Sequence, residues 1–265
     1  MKPAVIPQVF LLRMIRKNPS ASFSYLAFTN IASRLPSHGV FLRSGGVSPS
    51  PYDSLNISYH VGDQAENVRE NRRKVMKTLG LPFLVSAKQV HGKRIYQVTE
   101  TPAKTESEVD GYDGLLTDIP GVALMIQQAD CQAVLLHDPL RPAVANIHVG
   151  WRGSVGDIIG ETIRMMKECY HTRTDTLLAA ISPSLGGCCA EFVTFREELP
   201  TSLHGYQTRK NHFDFPAISR DQLTGAGVLA KNIETAGICT KCDPHFFSYR
   251  REGVTGRCCS VIGLR

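Results

Sequence analysis

Apolar and polar positions change rhythm repeatedly along this chain, and the changes predict its elements. From residue 40 onward, short apolar runs alternate with helical segments. Residues 40–43 and 55–59 read as strands. Asp63 then caps a helix, with Glu66 three residues later as in a capping box. That helix runs through the charged stretch 69–77 and stops at Gly80. Residues 83–90, 94–98, 122–126, 133–136 and 143–149 are rich in Val, Ile and Leu and read as strands. After residues 150–153, Ser154 caps a helix reaching Tyr170, whose Val155, Ile158, Ile159, Ile163 and Met166 recur at helical spacing. Residues 176–181 form a further strand, and two helices follow near 191–199 and 217–236. The chain closes with strands near 245–249 and 260–264. This order is mixed rather than a regular βαβ alternation, so the expected class is α+β. Residues 1–25 read as a poorly patterned N-terminal extension. Residues 26–265 read as a single domain, with no internal repeat, low-complexity tract or linker.

Composition narrows the classes. The 265 residues are 42% hydrophobic and 20% charged, which excludes disordered, collagen-like and coiled-coil chains. The chain is long enough to bury a core without disulfides or metal. No apolar run approaches the ~20 residues that cross a bilayer, so no membrane role is expected. The net charge of +6, from 30 Lys+Arg and 24 Asp+Glu, is a mild and scattered excess. No long basic run interleaved with aromatics marks a nucleic-acid partner. Attraction of small anions such as phosphate fits the balance. Eight cysteines are too sparse for a disulfide scaffold. The first residues do not match a secretory signal, so the expected setting is a reducing cytoplasm with free thiols. Cys239-Thr240-Lys241-Cys242 is a C-x-x-C with no second such pair in the sequence. It reads as reduced structural thiols outside the catalytic site, with an accessory metal or a disulfide as alternatives. The oligomeric state is left open.

The candidate chemistry lies at strand ends. His91 follows the strand 83–90, Cys131 follows Gln127-Gln128-Ala129-Asp130, and His148 closes a strand before Val149-Gly150-Trp151-Arg152-Gly153. Two imidazoles and a thiolate suit Zn²⁺ or copper, and three protein ligands leave one position open, as in catalytic zinc sites. Two ordinary histidines and a buried cysteine remain the alternative, because free Cys often serves as a small core hydrophobe.

Several blocks recur in a telling order. They are Gly45-Gly46-Val47-Ser48, Pro51-Tyr52, Ser54-Leu55-Asn56, His60-Val61-Gly62-Asp63, Glu70-Asn71-Arg72 and Gln89-Val90-His91-Gly92. Ala129-Asp130-Cys131, His148-Val149-Gly150-Trp151-Arg152-Gly153, Phe246-Phe247-Ser248-Tyr249-Arg250-Arg251 and Thr255-Gly256-Arg257 follow. Together, over about residues 38–265, they closely resemble the YfiH/YlmD family of laccase-domain, or multicopper polyphenol oxidase, proteins. The resemblance implies an α/β/β/α sandwich and a zinc held by His91, Cys131 and His148. It also implies purine nucleoside phosphorylase, methylthioadenosine phosphorylase and adenosine deaminase activities. The chain departs from the family pattern at Ala133, at Ser182-Pro183-Ser184-Leu185-Gly186 and at Ala190, which bears on the substrate pocket rather than the trio.

Other residues acquire candidate roles. Arg43, before Gly45 and Gly46, can grip phosphate bidentately, while the glycines allow close backbone approach or a tight turn. Arg152 can bind phosphate with the N-terminus of the helix it precedes. Gln89 shares a strand face with His91 and can hydrogen-bond a substrate. Asp130 and Glu191 are acid/base candidates, Asp130 more readily as a supporting carboxylate. No P-loop or dinucleotide fingerprint is present, so neither ATP nor NAD is implied. The expectation is a zinc-dependent purine nucleoside enzyme that phosphorolyses adenosine, inosine and methylthioadenosine, with adenosine deaminase as a side activity. One alternative is a thiol hydrolase with Cys131 as nucleophile and His148 or His91 as base, acting on peptidoglycan precursors. Another is a copper-dependent polyphenol oxidase. Laccase chemistry needs many histidine ligands, however, and the nine histidines include no His-x-His pair. A non-catalytic binding module is the third.

Overall fold

The apolar runs become strands of two facing sheets in the computed structural model, which describes residues 14–17, 23–32 and 36–265. In chain order come β1 (Met14–Lys17), β2 (Tyr25–Phe28), α1 (Thr29–Ala32), β3 (Ser37–Phe41), α2 (Ala65–Leu79), β4 (Phe83–Lys88), β5 (Ile95–Val98), β6 (Glu106–Asp110), β7 (Gly114–Thr117), β8 (Val122–Gln128), β9 (Gln132–Asp138) and β10 (Ala143–Val149). The second half holds α3 (Trp151–Val155), α4 (Ile158–Tyr170), β11 (Leu178–Ile181), α5 (Phe195–Glu198), β12 (Gln207–Arg209), β13 (His212–Phe213), α6 (Phe215–Gly225), β14 (Ile233–Thr235), α7 (Tyr249–Glu252) and β15 (Cys258–Gly263). One sheet runs β1-β2-β3-β15-β8-β4-β6, the other β14-β11-β9-β10-β7-β5, and β12-β13 is a separate hairpin.

Side chains alternate between three apolar layers. On β8, Val122, Leu124 and Ile126 point between the sheets, while Ala123 and Met125 point outward to Val75 and Leu79 of α2. On β9, Ala133 and Leu135 point between the sheets, and Val134 and Leu136 pack with Ile159, Ile163 and Met166 of α4. Burial on both faces explains why these strands read as unbroken apolar runs. Asn146, fully buried on β10, ties the sheets by donating to the carbonyls of Leu124 and Ser260, both at 2.9 Å. The architecture is the α/β/β/α sandwich of mixed sheets that the resemblance implied.

Several expected elements differ, each for a local physical reason. Residues 55–59 form no strand, because side chains claim their backbone groups: Asn56 Oδ1 accepts from Ser58 N, Arg72 donates to Ile57 O, and Asn71 donates to Asn56 O. Asp63 does not cap α2. Its carboxylate instead accepts from Ser48 at 2.6 Å and Asn56 at 2.9 Å, and Gln64 stands at the N-cap. Gly80 does end α2, in the left-handed conformation at φ +67°. Ser154 lies inside the short α3, and Asp157 caps α4. The helix expected over 217–236 ends at Gly225. Gly227 turns at φ +98°, and the chain re-enters the sheet as β14. The helix expected over 191–199 shrinks to α5. Residues 245–249 form no strand, since Ser248 caps α7 by accepting from Arg251 N. The unforeseen β6 (Glu-Ser-Glu-Val-Asp) is a polar edge strand without an apolar signature. Of the expected N-terminal extension, residues 1–13 and 18–22 lie outside the described residues, and β1 pairs antiparallel with β2. No helix among the described residues is long and apolar enough to cross a membrane.

Candidate metal centre and its cleft

The fold brings together His91 and Cys131, each on a turn, and His148, near the end of β10. One ligand atom from each lies within 4.8 Å of the others. Both turns hold a non-glycine residue in left-handed conformation, His91 at φ +59° and Asp130 at φ +86°. Such backbone strain, of order 1–3 kcal/mol per residue, persists only where the surroundings enforce it. Asp113, fully buried just before β7, enforces the first. Its carboxylate accepts the amides of Val90, His91 and Gly92 at 3.3, 2.9 and 2.7 Å, and its carbonyl accepts His148 N at 2.7 Å. Its Oδ1 also lies 2.8 Å from His148 Nδ1. With Nδ1 engaged, Nε2 of His148 is the atom left for Cys131.

Burial alone would raise the Cys131 thiol. The positive charge of His148 and hydrogen bonds from His148 and His91 outweigh it and lower the thiol to about 6. Reciprocally, burial opposes the charged His148, but the Cys131 thiolate and the Asp113 carboxylate raise it to about 9. Burial likewise works against Asp113, and the His148 bond and charge with the amides of Gly92 and Val90 still hold it below the ordinary carboxylate range. Without metal, both shifts favour a thiolate beside an imidazolium.

The donor set fits a metal. A Cβ built on Gly150 would sit 3.0 Å from His91 Cδ2, 3.3 Å from Cys131 Sγ and 3.8 Å from His148 Cε1, so the absent side chain leaves a cradle at the point where the three ligands converge. One thiolate and two imidazoles are ligands of Zn²⁺ or copper, and the Asp113 contact orients His148 as metal-ligating histidines are commonly oriented. Among the described residues, no second histidine cluster accompanies the trio.

A cleft of about 580 Å³ surrounds the trio, within the ordinary size of small-molecule sites. Of the other expected residues, Gln89, Asp130 and Arg152 line it, and Arg43, Gly45, Gly46 and Glu191 do not. Gln89 is committed to the backbone, donating to Gln127 O at 2.9 Å and accepting from Gln127 N at 2.8 Å. Asp130 accepts from Thr240 Oγ1 at 2.7 Å and from Arg250 N at 2.6 Å, which anchors two loops to the Cys131 turn. Arg152 is exposed, lies 4.9 Å from the Trp151 ring centre and meets no carboxylate among the described residues. Arg43, expected to hold phosphate, is instead engaged by Glu252 at 2.6 Å and Asp53 at 3.5 Å, over the Phe247 ring. Gly46 serves a close backbone approach: a Cβ there would fall 2.0 Å from Ser54 O. Glu191 offers its carbonyl to Arg250 at 3.1 Å.

The sequence reading passed over four residues of this region. Asp113 gave no pattern beyond a polar position before the apolar Leu115 and Leu116. Arg250, Arg257 and Tyr249 line the cleft from within the two C-terminal blocks quoted above, where the signal was present without an assigned role. The Arg257 guanidinium donates to the carbonyls of Thr255 and Gly256, both at 3.0 Å, and burial lowers it against the pull of Cys131 and Asp130. Trp151, Phe192 and Phe215 form an aromatic side, with ring centres 6.3 and 5.1 Å apart in turn.

The comparisons with known proteins give the chain's family. The chain is 34% identical over 245 residues to purine nucleoside phosphorylase YlmD of Geobacillus stearothermophilus, covering 86% of this chain and 89% of the relative. It is also 34% identical over 244 residues to a purine nucleoside phosphorylase of Bacteroides thetaiotaomicron, covering 85% and 90%. The crystal structure of Geobacillus stearothermophilus YlmD superposes with a TM-score of 0.85 at 31% identity, covering 95% of this chain and 99% of that one. The Bacillus licheniformis hypothetical protein YfiH gives the same TM-score and identity, with 94% and 100% covered. The family model described as multi-copper polyphenol oxidoreductase laccase matches residues 37–265. The chain belongs to this laccase-domain family, whose members here include the YfiH and YlmD proteins.

Proposed function

We propose that the protein is an enzyme that cleaves purine nucleosides with phosphate, at a site where His91, Cys131 and His148 hold a zinc ion. The observation that carries the reading is electrostatic. Arg152, Arg250 and Arg257 line the trio's cleft, and among the described residues none of their guanidiniums forms a salt bridge, Arg250 meeting the Asp130 carboxylate through its backbone amide alone. Guanidiniums outside salt bridges around a cleft are a ready phosphate site. The names of the relatives support the substrate class.

In phosphorolysis, a phosphate oxygen bonds to the anomeric carbon, the C–N glycosidic bond breaks, and its electron pair leaves with the purine. Arg152, Arg250 and Arg257 bind and orient the phosphate, and Trp151, Phe192 and Phe215 give the purine an apolar face to stack on. A zinc at the trio supplies positive charge beside the reacting groups. Asp113 holds His148 with Nε2 inward, and Gly150 keeps the space among the ligands open. Deamination of adenosine is the side activity, and the free state of all eight cysteines supports a cytoplasmic setting.

The test is adenosine with and without phosphate, with products separated by chromatography. Free adenine that depends on phosphate is expected. Arg152→Ala should weaken apparent phosphate affinity about ten- to a hundredfold, the loss of one charge-assisted contact of roughly 1.5–3 kcal/mol. Adenine release that ignores phosphate would make the reaction hydrolysis, and inosine alone would leave only a deaminase.

One observation favours a second reading. Asp113, His148 and Cys131 form a carboxylate–imidazole–thiolate array of the kind that activates a thiol nucleophile. In this reading the Cys131 thiolate bonds to an acyl carbon of a peptidoglycan precursor, the amide C–N bond breaks as His148 protonates the departing amine, and water then cleaves the thioester to free Cys131. Metal at the trio would occupy the thiolate, so stoichiometric zinc in active protein counts against it. The copper oxidase reading has the family description alone behind it.

A further inference from the structure

The C-x-x-C that had no partner in the sequence has one in space. Sγ of Cys242 lies 3.8 Å from that of Cys188 and 3.5 Å from that of Cys189, and all four sulfurs of Cys188, Cys189, Cys239 and Cys242 lie within 4.8 Å of one another. We propose that these four cysteines form a second metal site, a closed tetrathiolate that holds Zn²⁺ as a structural staple. The site is separate from the His-Cys-His trio and does not depend on the reaction proposed there.

Four observations point to it. The first is distance. Four sulfurs about 2.3 Å from a tetrahedral zinc lie about 3.8 Å from each other, which the closest pairs here match. A disulfide would need about 2.05 Å, and all four thiols are free. The second is the backbone. Cys239 opens a tight turn in which Cys242 N and Asp243 N donate to its carbonyl at 3.2 and 3.0 Å. Cys188 and Cys189 lie on a facing turn closed by Cys189 N and Ala190 N donating to Gly186 O at 2.8 and 2.9 Å. The Cys239 turn has the C-x-x-C spacing usual for zinc ligands, and the facing turn presents its adjacent pair to it. Gly186 N also donates to Cys239 Sγ at 3.3 Å, the kind of contact that supports a ligating sulfur.

Third, Gly186 sits tight against the cluster. A Cβ there would fall 3.1 Å from Cys239 Cβ and 3.4 Å from Cys188 Sγ, so glycine lets the turns close on one point. Fourth, the surroundings suit a net negative centre. Arg209 lies against one turn, donating to Cys188 O at 2.8 Å, and Arg251, whose charge is shared with Glu252 at 2.8 Å, lies against the other, donating to Thr240 O at 2.8 Å and Lys241 O at 3.0 Å. Packing does not explain the gathering, because Cys188 and Cys242 are exposed.

The staple would stiffen a wall of the cleft. Ser184 and Leu185, next to the first turn, line the cleft. Leu185 N donates to Asp130 O at 2.8 Å, and Thr240 of the second turn donates to Asp130 Oδ1 at 2.7 Å. Both turns therefore lean on the residue that precedes Cys131. Four protein ligands leave no open position, so the role is structural rather than catalytic.

The test uses the full chain, prepared with reductant and without chelator. Cobalt replaces zinc in a Cys131→Ser variant, which removes the thiolate of the other site. The absorption of tetrahedral four-thiolate Co²⁺, including thiolate-to-cobalt charge transfer, is expected at one equivalent. Its absence overturns the proposal. Adding Cys239→Ser and Cys242→Ser should abolish the spectrum, and a spectrum that survives them overturns the proposal. In case that variant does not fold, alkylation mapped by mass spectrometry on the zinc-loaded wild type gives an independent answer. Cys188 and Cys242 should be protected and become at least about tenfold more reactive after chelation. Equal reactivity before and after, or a disulfide among the four in protein kept reduced, sinks the assignment.

Discussion

At the scale of single residues, the candidate site depends on one carboxylate. The Asp113 carboxylate accepts from three amides and meets one imidazole nitrogen, and its carbonyl accepts from His148 N, all from a position with no exposure to solvent. Asp113→Asn keeps the shape but exchanges an acceptor for a donor toward one of these partners. Groups that orient a metal-bound histidine typically matter about 10–100-fold in metal affinity. Zinc affinity of the trio, titrated against a competing chelator, should therefore fall by about that factor, and an unchanged affinity would remove Asp113 from this role. Arg43 teaches the complementary lesson. An arginine beside two glycines has the look of an anion site, yet its charge is taken up by Glu252 and Asp53. The open guanidiniums belong to Arg152, Arg250 and Arg257 instead.

At the scale of elements, α2 is joined to the polar edge strand β6 through Arg72. Its guanidinium is fully buried. It donates to Glu106 at 2.8 Å, to Glu108 at 3.0 Å and to Ile57 O at 2.8 Å, with the Tyr59 ring 4.4 Å away. Removing one partner of a buried pair leaves an uncompensated charge, so Arg72→Ala should cost about 3–5 kcal/mol in denaturant unfolding. The pH dependence has a definite sign. Burial disfavours the Glu108 carboxylate, but the bond from His60 and the charge and bonds of Arg72 hold it below its ordinary 4.5. A depressed carboxylate contributes stability above its unfolded value and loses it as pH falls through its folded value. Unfolding free energy should thus drop below about pH 4.5, and Arg72→Ala should flatten that drop. The same steepness in both proteins would show that other carboxylates carry it.

At the scale of the whole molecule, the two outer apolar layers are separated by both sheets. Leu84 packs under α2 and Ile163 packs from α4 against the other sheet. Each truncation to Ala should cost about 2–5 kcal/mol. Because they share no partner layer, the double variant should lose the sum within about 0.5 kcal/mol. Chemical denaturation measures this, and a larger departure would show that the layers are coupled through the strands between them.

The chain's own sequence determined much of this frame. Strands buried on both faces announce themselves as apolar runs, because each of their residues meets a core, and β8, β9 and β10 were legible for that reason. Gly80 marked the end of α2 because a left-handed residue there suits glycine. His91, Cys131 and His148 were visible as soft ligands near strand ends, but their spacing alone also suited two ordinary histidines and a core cysteine, and it was the resemblance of the blocks around them that implied a metal site. Tertiary structure alone decided the rest. Residues 55–59 look like a strand, yet side chains of Asn56, Asn71 and Arg72 take the hydrogen bonds a neighbouring strand would have made. The edge strand β6 forms on polar residues because parallel pairing with β4 and the charge of Arg72 hold it. Asp113 reaches His148, and Cys188 and Cys189 reach Cys239 and Cys242, only once the sheets have packed. Local periodicity reports which face of an element is buried, but the meeting of residues far apart in sequence is set by how the elements pack.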